Sequence, residues 1–182
     1  MIKRLKREET ILMIVDVQER LIPAIHEGKL VARSCSVLAQ AAQTLQIPVI
    51  VTEQYPEKLG ATMPEIMGIL DEYQPLSKKQ FSSCTPEVME VLKSTSERQT
   101  ILLCGVEAHV CVQQTALDLL ANNFDVFVAR DAISSRTFAN AEIGWQRIMR
   151  AGAIPVSVES ALFELLQTAD APEFKDVHRL IK

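Results

Sequence analysis

The sequence predicts a single α/β domain in which a doubly wound, mostly parallel sheet lies between two layers of helices. At least five short apolar runs, rich in valine and isoleucine, are typical of strands buried on both faces. Segments with the three-to-four residue spacing of amphipathic helices separate these runs. This alternation is the pattern of a three-layer α/β/α fold. A chain of 182 residues needs no second domain, so we expect one domain over residues 1–182.

Composition and charge exclude several classes of protein. The net charge of −4 and the pI near 5.5 provide no basic surface for nucleic acid. No apolar run approaches the roughly 20 residues that cross a bilayer, so no membrane partner is expected. The four cysteines lack metal-site or disulfide spacing, which indicates free thiols, and we expect Cys35, Cys84 and Cys104 to serve packing. The basic start lacks a small-residue cleavage site, which favours a cytoplasmic protein, with mitochondrial import as the alternative.

The first half of the chain has the pattern strand, helix, strand. Residues 11–15 form a continuous apolar run that ends at Asp16. A helical stripe follows from Val31 to Leu45 and must end before Pro48. Residues 49–51 give the next strand, which leads into a loop with glycine and proline. A right-handed crossover between the two strands makes them parallel.

The second half of the chain alternates in the same way after a weakly patterned segment. Between residues 65 and 84 little periodicity is visible, and we expect Lys78 on a loop. Thr85 and Pro86 then mark the cap and the first residue of a helix. The remaining predicted strands cover residues 101–103, 126–129 (ended by Arg130) and 154–158. One remaining predicted helix covers residues 141–149, and three others begin at Cys111, Ser160 and Pro172.

The stretch from Ile101 to Leu120 carries the strongest indication of function. A buried strand ends near Gly105 and an amphipathic helix begins at Cys111, so the chain turns sharply between them. A cysteine at a helix start faces unpaired backbone N–H groups and the positive end of the helix dipole, which favour thiolate. We therefore expect Cys111 to be the most reactive thiol and a candidate nucleophile. A small buried hydrophobe is the alternative for a lone cysteine.

Asp16 and Lys78 are the other candidates for chemistry. Asp16 follows a buried strand, and the carboxyl ends of strands form the functional edge of an open α/β sheet. Neither a phosphate-binding loop nor a serine-hydrolase elbow occurs in the sequence. We expect Asp16, Lys78 and Cys111 to converge at one end of the sheet, although the adjacent pair Lys78 and Lys79 is also typical of a solvated surface.

Three motifs resemble those of the isochorismatase-like cysteine hydrolases. They are D-x-Q at Asp16 to Gln18, K-x-x-F-S at Lys78 to Ser82, and GVEAHVCVQQT from Gly105 to Thr115. The resemblance continues, in order, through TEQYPEKLG, DAISSR and the final EFKDVHRLIK. These segments are similar to the isochorismatase domain-containing protein branch of that family, and together they cover nearly the whole chain.

The resemblance implies a six-stranded parallel sheet, a homo-oligomer and a catalytic triad of Asp16, Lys78 and Cys111 without a cofactor. It also implies a cis peptide between Val106 and Glu107, which would aim the backbone N–H groups of Glu107 and Cys111 into an oxyanion hole. Metal-binding relatives carry histidines after the second strand, and this chain has none there, so no metal is expected. The candidate substrate-pocket residues are Gln18, Glu53, Gln54, Tyr55, Phe81 and His109.

Together these expectations describe a cysteine hydrolase that cleaves a small amide or related carbonyl compound through a thioester. Asp16 would act as general base, and Lys78 would keep it ionised and stabilise the anion. The expected partners are a small-molecule substrate and further copies of the chain, with Phe138, Trp145 and Leu162 as candidate contacts. One alternative is a catalytically idle oligomeric interaction protein that retains the fold. Another is a redox-sensing thiol protein, which lacks a resolving cysteine close in sequence.

Overall fold

The computed structural model describes residues 2–95 and 98–182, and within these ranges six strands form one parallel sheet. The strands are β1 (Thr10–Val15), β2 (Val49–Gln54), β3 (Leu76–Lys78), β4 (Thr100–Val106), β5 (Asp125–Ser134) and β6 (Ile154–Val156). Their order is β3-β2-β1-β4-β5-β6, with every neighbouring pair parallel. The predicted doubly wound, six-stranded architecture is confirmed. The strand order reverses between β1 and β4, which is where open α/β sheets bind ligands.

Helices cover both faces of the sheet. They are a 3-10 turn (Ile22–Ala24), α1 (Gly28–Thr44), α2 (Pro56–Leu59), α3 (Pro64–Met67), α4 (Pro86–Ser94), α5 (Cys111–Ala121), α6 (Phe138–Arg150), α7 (Val158–Leu166) and α8 (Phe174–Arg179). Helices α1, α7 and α8 pack against one face, and α4, α5 and α6 pack against the other. None of the helices in the described ranges is long and apolar enough to cross a membrane.

Strand β1 shows why the apolar runs in the sequence are continuous. Leu12 and Ile14 point into the core on the α1 side, whereas Ile11, Met13 and Val15 point into the core on the α5 side. Successive side chains of a strand face opposite sides of the sheet, so a strand covered on both sides has no place for a solvated residue. The first polar position of this run, Asp16, therefore comes where the strand ends.

Strand β3 corrects one expectation from the sequence. Lys78 was expected on a loop, but it is the last residue of β3 and pairs in register with Gln54 of β2. The strand has only three residues, and Leu76 is its one apolar side chain. Such a segment is too short to show the alternation by which strands are recognised in sequences.

Other element boundaries also differ from the sequence prediction. Strand β6 ends at Val156, whereas the apolar run predicted a strand over residues 154–158. Strand β5 continues past Arg130 because the pairing with β4 shifts register at an irregularity, after which the ladder resumes. Helix α7 starts at Val158, not Ser160, since Ser157 and Ser160 form a capping box in which each side chain bonds the other's backbone N–H. Helix α8 starts at Phe174 rather than Pro172.

Gly105 allows β1 and β4 to approach each other beside the candidate site. Its φ of +119° lies outside the range that residues with a side chain adopt comfortably. A Cβ atom there would lie 2.1 Å from the carbonyl oxygen of Val15, the residue that pairs with Gly105 and precedes Asp16. Glycine at this position is therefore required by both conformation and space.

We predict that Gly105→Ala destabilises the protein more than Gly152→Ala. Both glycines have φ above +100°, so both variants incur backbone strain of about 1 to 3 kcal/mol. Nothing lies within 4 Å of a Cβ at Gly152, whereas the contact at Gly105 adds overpacking of about 1 to 3 kcal/mol. Denaturant unfolding of the two variants measures the difference in the free energy of unfolding. Equal losses would contradict the steric argument.

Candidate active site

The ends of three elements bring Asp16, Lys78 and Cys111 together at the carboxyl edge of the sheet. Asp16 follows β1, Lys78 ends β3, and Cys111 is the first residue of α5. The residues are 0%, 5% and 6% exposed, respectively. Lys78 Nζ lies 2.7 Å from Asp16 Oδ2, and the Cys111 thiol lies close enough to the Asp16 carboxylate for that charge to raise the thiol pKa. Because β2 lies between β3 and β1, the lysine side chain must cross β2 to reach the aspartate.

The ammonium of Lys78 has three acceptors within 3.1 Å, and the Gln80 carbonyl is a fourth at 3.5 Å. The ammonium donates to Asp16 Oδ2 at 2.7 Å, to Gln54 Oε1 at 2.8 Å and to the Phe81 carbonyl at 3.1 Å. A lysine ammonium has three hydrogens, so these bonds use all of them. Lys78 is therefore a fixed cation that acts on its neighbours through charge, and it keeps no hydrogen free for a substrate oxygen.

A chain of hydroxyl groups supports Asp16 from the other side. Thr52 Oγ1 donates to Asp16 Oδ1 at 2.9 Å, and Ser83 Oγ lies 3.1 Å from Thr52 Oγ1. Since Thr52 gives its single hydroxyl hydrogen to Asp16, Ser83 is the donor in the second bond. The Ser83 N–H in turn donates to Thr115 Oγ1 of α5 at 2.8 Å. This chain, which the sequence did not predict, ties the carboxylate to the helix that carries Cys111.

Burial raises the pKa of the Asp16 carboxyl above its ordinary value of 3.8. The Lys78 charge opposes this rise most strongly, and the hydrogen bonds from Lys78, Cys111 and Thr52 oppose it further. Removal of the carboxylate from water disfavours its charged form, and this effect exceeds the opposing ones. Asp16 is consequently a stronger base than a carboxylate on the protein surface.

Burial and then the charge of Asp16 raise the pKa of the Cys111 thiol to about 12, while the Lys78 charge opposes the rise. The expectation of a lowered pKa at the helix start is therefore wrong for the resting site. Desolvation and a neighbouring carboxylate outweigh the helix terminus here. Cys111 therefore rests as a thiol beside the Asp16 carboxylate.

The other three cysteines are free thiols as well. Cys35 and Cys104 are fully buried in the core, as the helix and strand patterns predict. Cys84 is half-buried, and burial raises its pKa to about 11. At rest, Cys111 is therefore not a stronger acid than Cys84, and the selective reactivity expected of Cys111 stays a prediction.

The turn before α5 contains two backbone donors beside the thiol. The peptide bond between Val106 and Glu107 is cis, as the family resemblance implies. Neither the Glu107 N–H nor the Cys111 N–H donates to another group in the described part of the chain, whereas the N–H groups of Val110 and Val112 bond to the Glu107 carbonyl. The two N–H groups implied for an oxyanion hole are thus available for a ligand.

Two of the candidate pocket residues support loops instead of facing a pocket. Gln18 is fully buried, and its amide bonds to backbone groups of Gln54 and Gly60. Glu53 is also buried, and its Oε1 accepts hydrogen bonds from Thr62 N, Thr62 Oγ1 and Tyr73 Oη. Both side chains are therefore occupied in holding the segment that follows β2.

The other four candidates lie nearer the solvent. Gln54 orients Lys78 through Oε1 and donates from Nε2 to the Lys79 carbonyl. Tyr55 is exposed, with the Lys79 ammonium 5.3 Å from its ring centre, and Phe81 is exposed. His109 is half-buried, and its Nδ1 lies 2.9 Å from Ser135 Oγ. Tyr55, Phe81 and His109 retain surface that a ligand can contact.

Metal ligation receives no support from the side chains of residues 2–95 and 98–182. No group of three or more His, Cys, Asp or Glu in these ranges is arranged to hold an ion. The two Asp16 oxygens already accept hydrogen bonds from the Thr52 hydroxyl and the Lys78 ammonium, and the Cys111 thiol lies beside them. Metal independence nevertheless stays a prediction.

The chain is similar to known proteins along most of its length. A model of the isochorismatase domain matches residues 10–160. Isochorismatase domain-containing protein 2 of Xenopus laevis is 37% identical over 99% of this chain and 87% of its own length. The structure of the MAR1 ribonuclease of Caenorhabditis elegans is 37% identical, has a TM-score of 0.93, and covers 98% of this chain and 92% of its own.

A more distant structural neighbour shares the fold alone. The YcaC gene product of Escherichia coli, described as an octameric hydrolase of unknown specificity, has a TM-score of 0.89 at 21% identity. The match covers 100% of this chain and 96% of that protein.

We predict that Asp16→Asn lowers the pKa of the Cys111 thiol. The substitution removes the carboxylate charge that raises this pKa and leaves the Lys78 ammonium, which lowers it. We expect a decrease of about one unit or more. The pH dependence of iodoacetamide labelling, followed at Cys111 by mass spectrometry, measures the change.

Asp118→Asn is the matched control. It neutralises a different acid, which lies on α5 and whose charge raises the pKa of Cys84. This variant should lower the pH at which Cys84 is labelled, and it should leave the pH dependence of Cys111 labelling unchanged. An Asp16→Asn profile that is unchanged, or displaced to higher pH, would contradict the pairing of the thiol with Asp16.

Proposed function

The chain belongs to the isochorismatase family, and we propose that it is a cysteine hydrolase that cleaves a small amide or related carbonyl compound through a thioester. One observation carries this proposal: the Cys111 thiol lies beside a buried carboxylate that is itself paired with a buried ammonium. A nucleophile, a base and a fixed cation within contact of one another are the parts that acyl transfer requires.

In the first step, Cys111 Sγ forms a bond to the substrate carbonyl carbon while the thiol proton moves to Asp16. The raised pKa of Asp16 makes the carboxylate a better acceptor for this proton. The carbonyl oxygen takes up the negative charge. Because Lys78 has no free hydrogen, we assign the oxyanion to the unpartnered N–H groups of Glu107 and Cys111.

In the second step, the bond between carbon and the leaving group breaks and the oxyanion returns to a carbonyl. Asp16 gives its proton to the departing nitrogen, which leaves as ammonia or an amine, and the acyl group remains as a thioester on Cys111. Water then attacks the thioester with Asp16 again as base, which releases the acid and restores the thiol. Negative charge moves between Asp16 and the substrate oxygen, while Lys78 remains charged throughout.

We predict that a panel of small amides contains a substrate and that Cys111→Ala reduces its turnover by about 10³-fold or more. Asp16→Asn should reduce turnover by about 10²-fold to 10⁴-fold, because the thiol then lacks its base. Release of ammonia and of the acid product measures both effects. Isochorismate and an RNA oligonucleotide are tested beside the amides, with their cleavage products separated by chromatography, because the matching family and a structural relative carry isochorismatase and ribonuclease in their names. Cys84→Ala is the control, since that thiol lies outside the proposed mechanism.

The pH dependence provides a second test of the same site. Asp16 must be ionised to accept a proton, so activity should fall as the pH decreases through its raised pKa. Thr52→Val removes a hydrogen bond that lowers this pKa, and the loss of activity should therefore begin at higher pH. If no compound is turned over, the idle interaction protein becomes the better description. If turnover survives Cys111→Ala, the cysteine mechanism is contradicted.

We also propose that the protein forms a homo-oligomer, as YcaC is described to do. Of the three candidate contacts, Phe138 is 60% exposed, whereas Trp145 is half-buried and Leu162 lies in the core. Leu162 is thus excluded as a contact because the fold uses it for packing. Ile143 is 62% exposed on the same helix as Phe138, which makes the outer surface of α6 the candidate interface.

Light scattering should give a multiple of 20.3 kDa for the intact chain. Introducing Phe138→Glu together with Ile143→Glu should reduce this mass, because two buried charges at an apolar interface are costly. Phe163→Glu, at an exposed aromatic residue on the opposite helical layer, is the control. A wild-type mass of 20.3 kDa at micromolar concentration would contradict the proposal.

A further inference from the structure

Glu107 and Arg136 form an ion pair beside the thiol that the mechanism above does not use. Arg136 Nε lies 3.0 Å from Glu107 Oε2 and 3.2 Å from Oε1, and Nη2 lies 3.1 Å from Oε1. The Arg136 backbone N–H also donates to Oε2 at 3.3 Å. The side chain of Glu107 is 8% exposed and that of Arg136 is 65% exposed. One arginine from the solvent side therefore holds both oxygens of a nearly buried carboxylate.

The position of Glu107 makes its charge important for the chemistry. Its backbone N–H is one of the two donors assigned to the oxyanion, and its carbonyl accepts the N–H groups of Val110 and Val112 that start α5. The residue that serves the oxyanion with its backbone thus carries a negative side chain. That charge also contributes to the raised pKa of the Cys111 thiol.

The charged groups around the thiol are balanced in pairs. Asp16 and Glu107 raise the pKa of Cys111, and Lys78 lowers it. Lys78 is paired with Asp16, and Arg136 is paired with Glu107. The nearby His109 is bonded through Nδ1 to Ser135 Oγ. Without Arg136, one carboxylate would remain unpaired next to the atoms that must become negative during attack.

We propose that Arg136 is a positioning residue for the reaction, because its guanidinium neutralises the Glu107 carboxylate and holds the turn that carries the oxyanion donors. The inference rests on the proposed function in that it concerns the same site. Opposite charges in contact largely cancel each other's field at a third group, so the pair disturbs the thiolate and the oxyanion less than Glu107 alone. The planar, two-pronged contact suits arginine and not lysine.

The test uses Arg136→Met, Glu107→Gln and the double variant in the full-length protein. Labelling of Cys111 by iodoacetamide is followed by mass spectrometry between about pH 7 and 10, a range below the raised pKa of the thiol. We expect Arg136→Met to slow labelling by about 3-fold to 10-fold at each pH, which corresponds to roughly 0.5 to 1 unit in the thiol pKa. Glu107→Gln should leave labelling as fast as in the wild type or faster.

The double variant is decisive. If Arg136 acts by neutralising Glu107, Arg136→Met should have little effect once Glu107→Gln has removed the charge, and labelling should match that of the Glu107→Gln single variant within about 2-fold. The same loss in both backgrounds would overturn the proposal, as would unchanged labelling in Arg136→Met alone. Arg136→Lys should fall between the wild type and Arg136→Met.

Arg130→Met is the matched control, since Arg130 pairs with Glu142 and stacks on Trp145 away from the thiol. It should leave labelling of Cys111 unchanged. Because alkylation requires no turnover, this inference can fail while a substrate is found, and it can hold while the amide panel gives none. The two proposals are therefore tested separately. Where a substrate is found, Arg136→Met should lower kcat more than it raises KM. Adding Glu107→Gln to Arg136→Met should restore kcat.

Discussion

A carboxylate and an ammonium buried side by side determine how the rest of the site is built. Removing such charges from water costs several kcal/mol for each ion, and this cost is offset only where every remaining donor and acceptor finds a partner. The Asp16 and Lys78 pair meets this condition with the hydroxyl of Thr52, the side-chain amide of Gln54 and the carbonyl of Phe81. The strand order β3-β2-β1 places two of these partners, Thr52 and Gln54, on the strand between the two charges. The ion pair therefore depends on the strand order, which places its hydrogen-bond partners between the two charges.

Much of this arrangement could be predicted from the sequence, because its main signals are local. Buried runs located β1, β2, β4 and β5, and the changes of periodicity located Asp16 and Cys111 at element ends. The choice of Lys78 over the adjacent Lys79 required the family resemblance, since β3 is too short to have a pattern. The Ser83 contacts join residues more than 30 positions apart, and no local pattern encodes such pairs. Gln18 and Glu53 show a related limit, because a polar residue that binds backbone has the same appearance in a sequence as one that binds substrate.

The thiol pKa shows why a local argument can be reversed by tertiary structure. The helix-start position of Cys111 is a property of a few neighbouring residues, and it favours thiolate. Burial and the charge of Asp16, which lies nearly 100 residues away in the chain, raise the pKa to about 12. In the proposed mechanism, the thiol is therefore deprotonated by Asp16 during attack and is not ionised in advance by the helix.

The protonated, nearly buried thiol also has a consequence for chemical durability. Peroxide attacks thiolates far faster than thiols, and oxidation follows exposure as well as ionisation. Cys111 is 6% exposed and rests as a thiol, so it presents an oxidant with neither an ionised sulfur nor an open approach. Such a site is poorly suited to sense peroxide and well suited to survive it. Under the proposed function, a thiol kept in this form would stay intact between catalytic cycles and would lose its proton only during attack on a carbonyl carbon.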